Sequence, residues 1–274
     1  MMARLVTAEA LDHLATDDPT ALRSRRDLRR VHRAMGTRHI LLGAIRATQM
    51  YRQRAGPLRV LELGAGDGTL MLGVAQALAG AWPSVELRLL DRQDLVHAPT
   101  LAGFAACGWA AMPMVADVLD WACAPDDAPA PAMGNVPPAA TPAWDLIIAN
   151  LFLHHFDAAP LARLLAAVAT RSRCFLACEP RRAGVALVGS HVVGLIGANA
   201  VTRADAVLSV HAGFRGQEIS ALWPAGVALA GGLGESGVAG GSGVAAGWTL
   251  AEHPAGLFSH CFRAERPVAA GRAP

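Results

Sequence analysis

The sequence predicts an α/β fold built on a doubly wound, mostly parallel sheet. Three observations carry this prediction. Strand-like apolar runs alternate with helix-like runs from residue 58 to residue 180, the pattern that lays parallel strands side by side with helices on both faces. The first strand-like run ends in alternating glycines, Gly64, Gly66 and Gly68, and passes at once into the helix-like run LMLGVAQAL. Acids close the next two strand-like runs, Asp91 after VELRLL and Asp117 after AAMPMVA, at the carboxyl ends of strands where open sheets bind ligands.

The elements follow in order. Residues 1–55 read as a helical N-terminal cap in which Arg-rich faces alternate with Leu, Val, Ile and Met, with Thr7 or Thr20 as capping residues. Residues 56–274 read as the main domain. Its strands are expected at 58–63, 85–91, 110–117, 144–150 and 174–180, and its helices after Gly68 and at 98–108 and 159–172. Residues 124–143 are a Pro/Ala-rich loop and 231–247 a Gly-rich loop, the latter with too few bulky apolar side chains to pack. A helical stretch is expected near 204–223, and GWTLAEH and LFSHCFRAER read as two closing strands.

Composition narrows the function classes. Hydrophobic residues make up 53% and charged residues 17% of 274, which excludes a disordered chain. A net charge of +2 gives no sign of a nucleic-acid binder, and every basic residue is arginine. The five cysteines are scattered, with no C-x-x-C pair, so no metal site is expected. They read as free buried thiols of a reducing cytoplasm. The N-terminus lacks the form of a signal peptide, and Val185–Val201, interrupted by His191 and Asn199, is short for a spanning helix.

The glycine turn selects the ligand. A dinucleotide fingerprint, G-x-G-x-x-G, would need its third glycine where Thr69 stands. The pattern here is E-x-G-x-G-x-G, with Glu62 two residues before the first glycine. A carboxylate there opposes a pyrophosphate and suits a cationic ligand end. Asp91 lies about 20 residues past the turn, where an acid accepts from ribose hydroxyls. Downstream runs Asp145-Leu-Ile-Ile-Ala-Asn150-Leu-Phe-Leu-His154-His155-Phe156, then Cys178-Glu179-Pro180-Arg181-Arg182.

These ordered elements resemble the class I S-adenosylmethionine-dependent methyltransferases of the small-molecule type, over about residues 58–182. The resemblance implies a Rossmann-like seven-stranded sheet with a C-terminal antiparallel edge hairpin. It implies S-adenosyl-L-methionine as cofactor, held by Glu62, Gly64, Ala65, Gly66, Gly68, Asp91, Arg92, Asp117, Val118 and Asn150. Asp117 would accept from the adenine amino group while Val118 packs on the ring; Asp120 is the competing acid, and Trp121 is read as core. The run at 145–156 departs from the N-P-P-Y pattern used on amide and base nitrogens. The acceptor implied is a small apolar molecule with a hydroxyl, phenolic, quinone-like or polyketide. A C-methyltransferase, an NAD-dependent oxidoreductase and a non-catalytic module of the same fold are the competing readings. A homodimer is compatible with the sequence.

His154 and His155 are the candidate catalytic pair, because a neutral imidazole can take a phenolic proton during transfer. Adjacent residues at a helix start diverge by about 100°, so the two rings have different surroundings. His191 and His211 are weaker alternatives. Arg25, Arg26, Arg29, Arg30 and Arg33, in the basic run Arg23–Arg33, form either a recognition face for an acidic substrate or membrane, or a solvated helix face. Glu179 with Arg181 and Arg182 is either a structural ion pair or part of the acceptor pocket.

Overall fold

The computed structural model describes residues 2–49, 57–82, 84–124, 143–224, 242–245 and 247–266, with the 242–245 segment described as backbone only. Most of both predicted loops, at 125–142 and 231–241, therefore lies outside the described residues, as do 50–56 between the predicted domains.

The parallel strands are β1 (Leu58–Leu63), β2 (Val85–Asp91), β3 (Trp109–Val115), β4 (Trp144–Asn150) and β5 (Ser172–Pro180). Three further strands follow, β6 (Ser242–Ala245), β7 (Trp248–Ala255) and β8 (Ser259–Glu265). The sheet order is β3-β2-β1-β4-β5-β8-β7-β6, parallel through β5 and antiparallel beyond it. The predicted closing hairpin is β7–β8, and β8 slots between β5 and β7. Within the Gly-rich segment, residues 242–245 add an eighth strand at the edge, paired to β7. Gly and small residues permit this, because backbone pairing alone holds an edge strand.

The helices are α1 (Pro19–Met35), α2 (Thr37–Arg46), α3 (Thr69–Leu78), α4 (Ala98–Ala106), α5 (Val118–Cys123), α6 (Ala158–Arg171), α7 (Gly184–Val192), α8 (Ala200–Ala212) and α9 (Glu218–Leu222). They cover both sheet faces, because alternate residues of one buried strand point to opposite sides. Leu61, Leu63, Ile147, Ala149 and Phe175 pack against Leu161, Leu164, Leu165 and Val168 of α6. Val60, Leu87, Leu89, Leu146, Ile148 and Leu176 pack against α2, α3 and Phe104 of α4. Each fully buried Leu or Ile contributes roughly 1.5–3 kcal/mol.

The N-terminal region differs from the expectation of helices throughout 1–55. Residues 2–9 form an extended strap across the carboxyl ends of β4 and β5, followed by a short 3-10 turn at Ala10–His13. The strap satisfies the last carbonyls of α8: the Leu5 amide donates to His211 O at 3.1 Å, and Arg4 Nε donates to Ala212 O at 2.8 Å. A helix over these residues would need its own carbonyl partners and leave those orphaned. The capping residue of α1 is Asp18, which accepts from the Thr20 and Ala21 amides at 2.6 and 3.2 Å; Thr20 is a donor in this cap. Thr7 lies in the strap. Helix α8 is tied to α1 through its own cap: Asn199 Oδ1 accepts from the Thr202 amide, and the Asn199 amide donates to Asp27 Oδ2, both at 2.8 Å. Among the described residues no helix is long and apolar enough to cross a membrane.

Candidate active site

A cavity of about 650 Å³ opens over the carboxyl ends of β1, β2 and β4, roofed by the strap, α1 and the 184–212 segment. Its floor is the glycine turn. Gly64, Gly66 and Gly68 have φ of +67°, +56° and +71°, left-handed values that side chains disfavour. A Cβ on Gly64 would stand 2.2 Å from the Phe152 ring, so this glycine lets the β1 and β4 loops touch. A Cβ on Gly66 would meet nothing within 4 Å, because that position faces the open cavity. Gly68 is turned away from the cavity, against Leu89 and Thr100.

Asp91 anchors this turn. Its Oδ2 accepts from the Gly66 amide at 2.8 Å, and its Oδ1 accepts from the Gln93 amide at 2.9 Å. The acid expected to meet a ribose thus also holds the glycine loop, and it still lines the cavity. Asp67, ahead of the α3 N-cap Gly68, accepts from the Thr69 amide at 3.0 Å and hydroxyl at 2.6 Å, and it faces Arg29 at 3.5 Å. Asp117 caps α5 through the Leu119 amide at 2.7 Å, and with Val118 it lines the cavity wall. The Arg92 guanidinium donates to Asp12 O and pairs with the Asp12 carboxylate at 3.5 Å, so Arg92 fastens the N-terminal turn to the cavity rim.

Glu62 and Asn150 share one feature on the cavity floor. Glu62 Oε2 and Asn150 Oδ1 are buried and have no hydrogen-bond partner among the described residues. Both residues line the cavity. Buried polar atoms in folded proteins are almost always paired, so two orphans on one cavity floor point to a ligand that supplies donors. Burial, then Asp91 and Asp67, push the Glu62 carboxyl well above its ordinary range. A cation arriving there would relieve this.

His154 and His155 are brought to the same cavity by a 3-10 turn, Leu153–His155, after β4. Leu151, the residue between strand and turn, has φ +49°, a conformation uncommon for a branched side chain. Glu179 organises the turn. Its Oε1 accepts from the Phe152 and Leu153 amides at 3.1 and 3.0 Å, and its Oε2 lies 2.9 Å from His154 Nδ1. On the other ring edge, His154 Nε2 lies 3.2 Å from Glu9 Oε1 of the strap. Burial alone would lower the His154 pKa, but the two carboxylates raise it to about 9. His155 has the opposite setting: burial and the neighbouring His154 cation lower its pKa, and its Nδ1 lies 3.3 Å from Asp12. Ligand atoms of Glu9, His154 and His155 all lie within 4.8 Å of one another, a grouping that no metal-type spacing in the sequence showed.

The structure separates the remaining candidates. Arg25 and Arg29 line the cavity, Arg25 donating to Gln93 Oε1 at 3.0 Å, whereas Arg30 pairs with Asp27 at 2.6 Å beside α8. The Arg182 guanidinium is buried and donates to Gly213 O, Met2 O and Glu218, a structural role. Arg181 sits in a backbone bridge with Phe214. His191 and His211 are not among the cavity-lining residues, and Trp121 packs at the edge of the core under Arg171. Sequence reasoning missed Glu9, Asp12, Phe152, Asp205 and Ser209. Only a contact map could have found them, because each acts across the fold.

No family model matches the chain, and no curated protein matches it. Solved structures do. A structure of the plantazolicin methyltransferase BpumL in complex with SAH superposes with a TM-score of 0.55 at 11% identity, covering 91% of each chain. The fold is the Rossmann-like methyltransferase fold. An O-methyltransferase family protein from Burkholderia thailandensis shares this methyltransferase fold with a TM-score of 0.54 at 14% identity, over 91% of this chain and 60% of that one. A putative O-methyltransferase from Nostoc punctiforme does so at 0.52 and 13%, over 96% and 64%. The chain thus spans less than two thirds of these two longer methyltransferase-fold proteins.

Proposed function

We propose that this chain is an S-adenosylmethionine-dependent methyltransferase acting on a hydroxyl of a small, largely apolar acceptor. The observation that carries the reading is the cavity floor: a left-handed glycine turn tied to Asp91, with the unpartnered Glu62 Oε2 and Asn150 Oδ1 beside it. An ammonium group carries enough N–H donors for both orphans, and Asp91 keeps acceptor capacity for a diol. When bound, S-adenosylmethionine supplies a methyl group already activated by a sulfonium leaving group. The neighbours' names, with SAH bound to one, agree with this.

The chain's own residues then do three things. The glycine turn, Asp91 and Val118 orient the donor, and orientation alone can supply as much as ~7–11 kcal/mol of a barrier. Apolar side chains, among them Leu28, Val31, Met35, Val193, Val210 and Phe156, wall the other half of the cavity and exclude water from the acceptor. His154 is the base: Glu179 fixes its ring from Nδ1, and Nε2, which faces Glu9 in this structure, takes the hydroxyl proton once the acceptor stands there. Calorimetry with S-adenosylmethionine is expected to show binding at sub-millimolar concentration, and its absence would sink the reading. With S-adenosylmethionine and a panel of hydroxyaromatics, release of S-adenosylhomocysteine is expected to fall by ~10²–10⁴ in His154→Gln while cofactor affinity stays within a few-fold.

One observation favours His155 as a second candidate base. Its lowered pKa keeps it neutral where His154 is protonated. His155→Gln separates the two: a loss in turnover equal to that of His154→Gln would move the role to His155.

A further inference from the structure

The two carboxylates that grip His154 are unlike each other. Glu179 is fully buried in β5 and also holds the Phe152, Leu153 and His154 amides, so it cannot leave without dismantling the turn. Glu9 comes from a strap without regular structure, 145 residues away in the chain. Its Oε1 is shared between His154 Nε2 and the Ser209 hydroxyl of α8. The strap is fastened on both sides of Glu9. On one side Arg4 donates to Phe156 O at 2.9 Å and to Ala212 O at 2.8 Å. On the other the Ala10 and Leu11 amides donate to the Asp205 carboxylate at 2.9 and 3.0 Å. None of these fastenings uses the Glu9 side chain, so its movement need not unfasten the strap.

Building on the methyltransferase reading, we propose that Glu9 is a positioning residue that closes the base in the resting protein. It occupies the side of His154 Nε2 that the acceptor's hydroxyl must reach, and it yields that place to the acceptor. While Glu9 is docked, the imidazole carries both its protons between two carboxylates and cannot accept a third. When the hydroxyl takes the place of Glu9, the Nε2 proton leaves with the Glu9 carboxylate or to solvent. The neutral ring then takes the hydroxyl proton as the O–CH3 bond forms and the C–S bond breaks. The site is thereby armed by the acceptor itself, which guards the sulfonium from hydrolysis in its absence. The charged groups facing the ring are Glu179 from β5, Glu9 from the strap, and His155 backed by Asp12; the Arg4 guanidinium lies on the backbone carbonyls of His154 and Phe156.

Imidazole NMR on the full chain, free and loaded with S-adenosylhomocysteine, tests this. Wild-type His154 is expected to titrate near 9. Glu9→Gln is expected to lower that midpoint by about one unit or more, and Glu9→Asp to restore part of it. Phenol, added to the loaded wild type as a hydroxyl probe, is expected to move the His154 signal towards its position in Glu9→Gln. An unchanged midpoint in Glu9→Gln, or a His154 signal that phenol leaves in place, overturns the proposal. So does a Zn2+-dependent rise in melting temperature that Glu9→Gln abolishes, because Glu9 would then be a metal ligand. The variant titration needs no cofactor, so failure of S-adenosylhomocysteine to bind counts against the methyltransferase reading alone.

Discussion

Replacing Glu62 by Gln is expected to weaken S-adenosylmethionine binding by ~10–150-fold while leaving the protein at least as stable as wild type. The sign follows from the site. Burial beside Asp91 and Asp67 raises the folded-state pKa of Glu62 above its ordinary 4.5. A group raised in this way contributes stability that is present below the unfolded value and is lost as pH rises through the folded value. A neutral amide of the same shape removes that loss, so the melting temperature of the variant should equal or exceed that of wild type, most clearly at alkaline pH. Binding moves the other way. The cationic cofactor end favours the ionised carboxylate, and a hydrogen bond to a charged group is worth ~1.5–3 kcal/mol, which is the tenfold or greater loss expected. The same linkage predicts that cofactor binding releases a proton and tightens with rising pH. Calorimetry in buffers of different ionisation enthalpy reads both. Equal affinity of Glu62→Gln and wild type would remove Glu62 from the site.

Gly64→Ala is expected to abolish cofactor binding at millimolar concentration and to lower stability by about 1–3 kcal/mol. Two costs coincide at this residue. Its φ of +67° is unfavourable for alanine, and the new Cβ would stand 2.2 Å from the Phe152 ring. Phe152 cannot retreat freely, because its amide is held by Glu179 and its ring packs against Phe156 at 5.2 Å between centroids. The turn must shift, carrying with it the Gly66 amide that Asp91 holds. Gly66→Ala is the informative partner, since its Cβ would meet only the open cavity. It is expected to keep more of the stability and to lose affinity by crowding the ligand. Denaturant melts and calorimetry on both variants check the distinction; similar behaviour of the two would show that strain alone matters.

Much of the cavity floor was legible in residues 58–91. Glu62, Gly64, Gly66 and Asp91 lie where strand–turn–helix patterning put them, because a strand end, its turn and the next strand end are joined by short connections. The same reasoning reached Asp117 and Val118, though Asp117 spends one oxygen on the α5 cap. It placed Arg92 on the cavity wall but not its guanidinium on Asp12, and it did not foresee that the open face of Gly68 packs on Leu89 and Thr100. In both cases spacing located the residue but not the direction of its side chain or vacant Cβ. The N-terminal strap was illegible for another reason. Residues 2–9 carry no strong period of either kind, and their conformation is set by carbonyls of α8 some 200 residues later.

By itself, the sequence determined the order of strands and helices, the left-handed glycine turn and the acids around it, since each depends on residues within one strand–turn–helix unit. Only the tertiary structure decided what the histidine pair can do. The imidazole of His154 is governed by Glu179 from β5 and Glu9 from the strap, 25 and 145 residues away. Charges brought together from such distances around a buried ring set a proton's position far more strongly than anything adjacent in the chain.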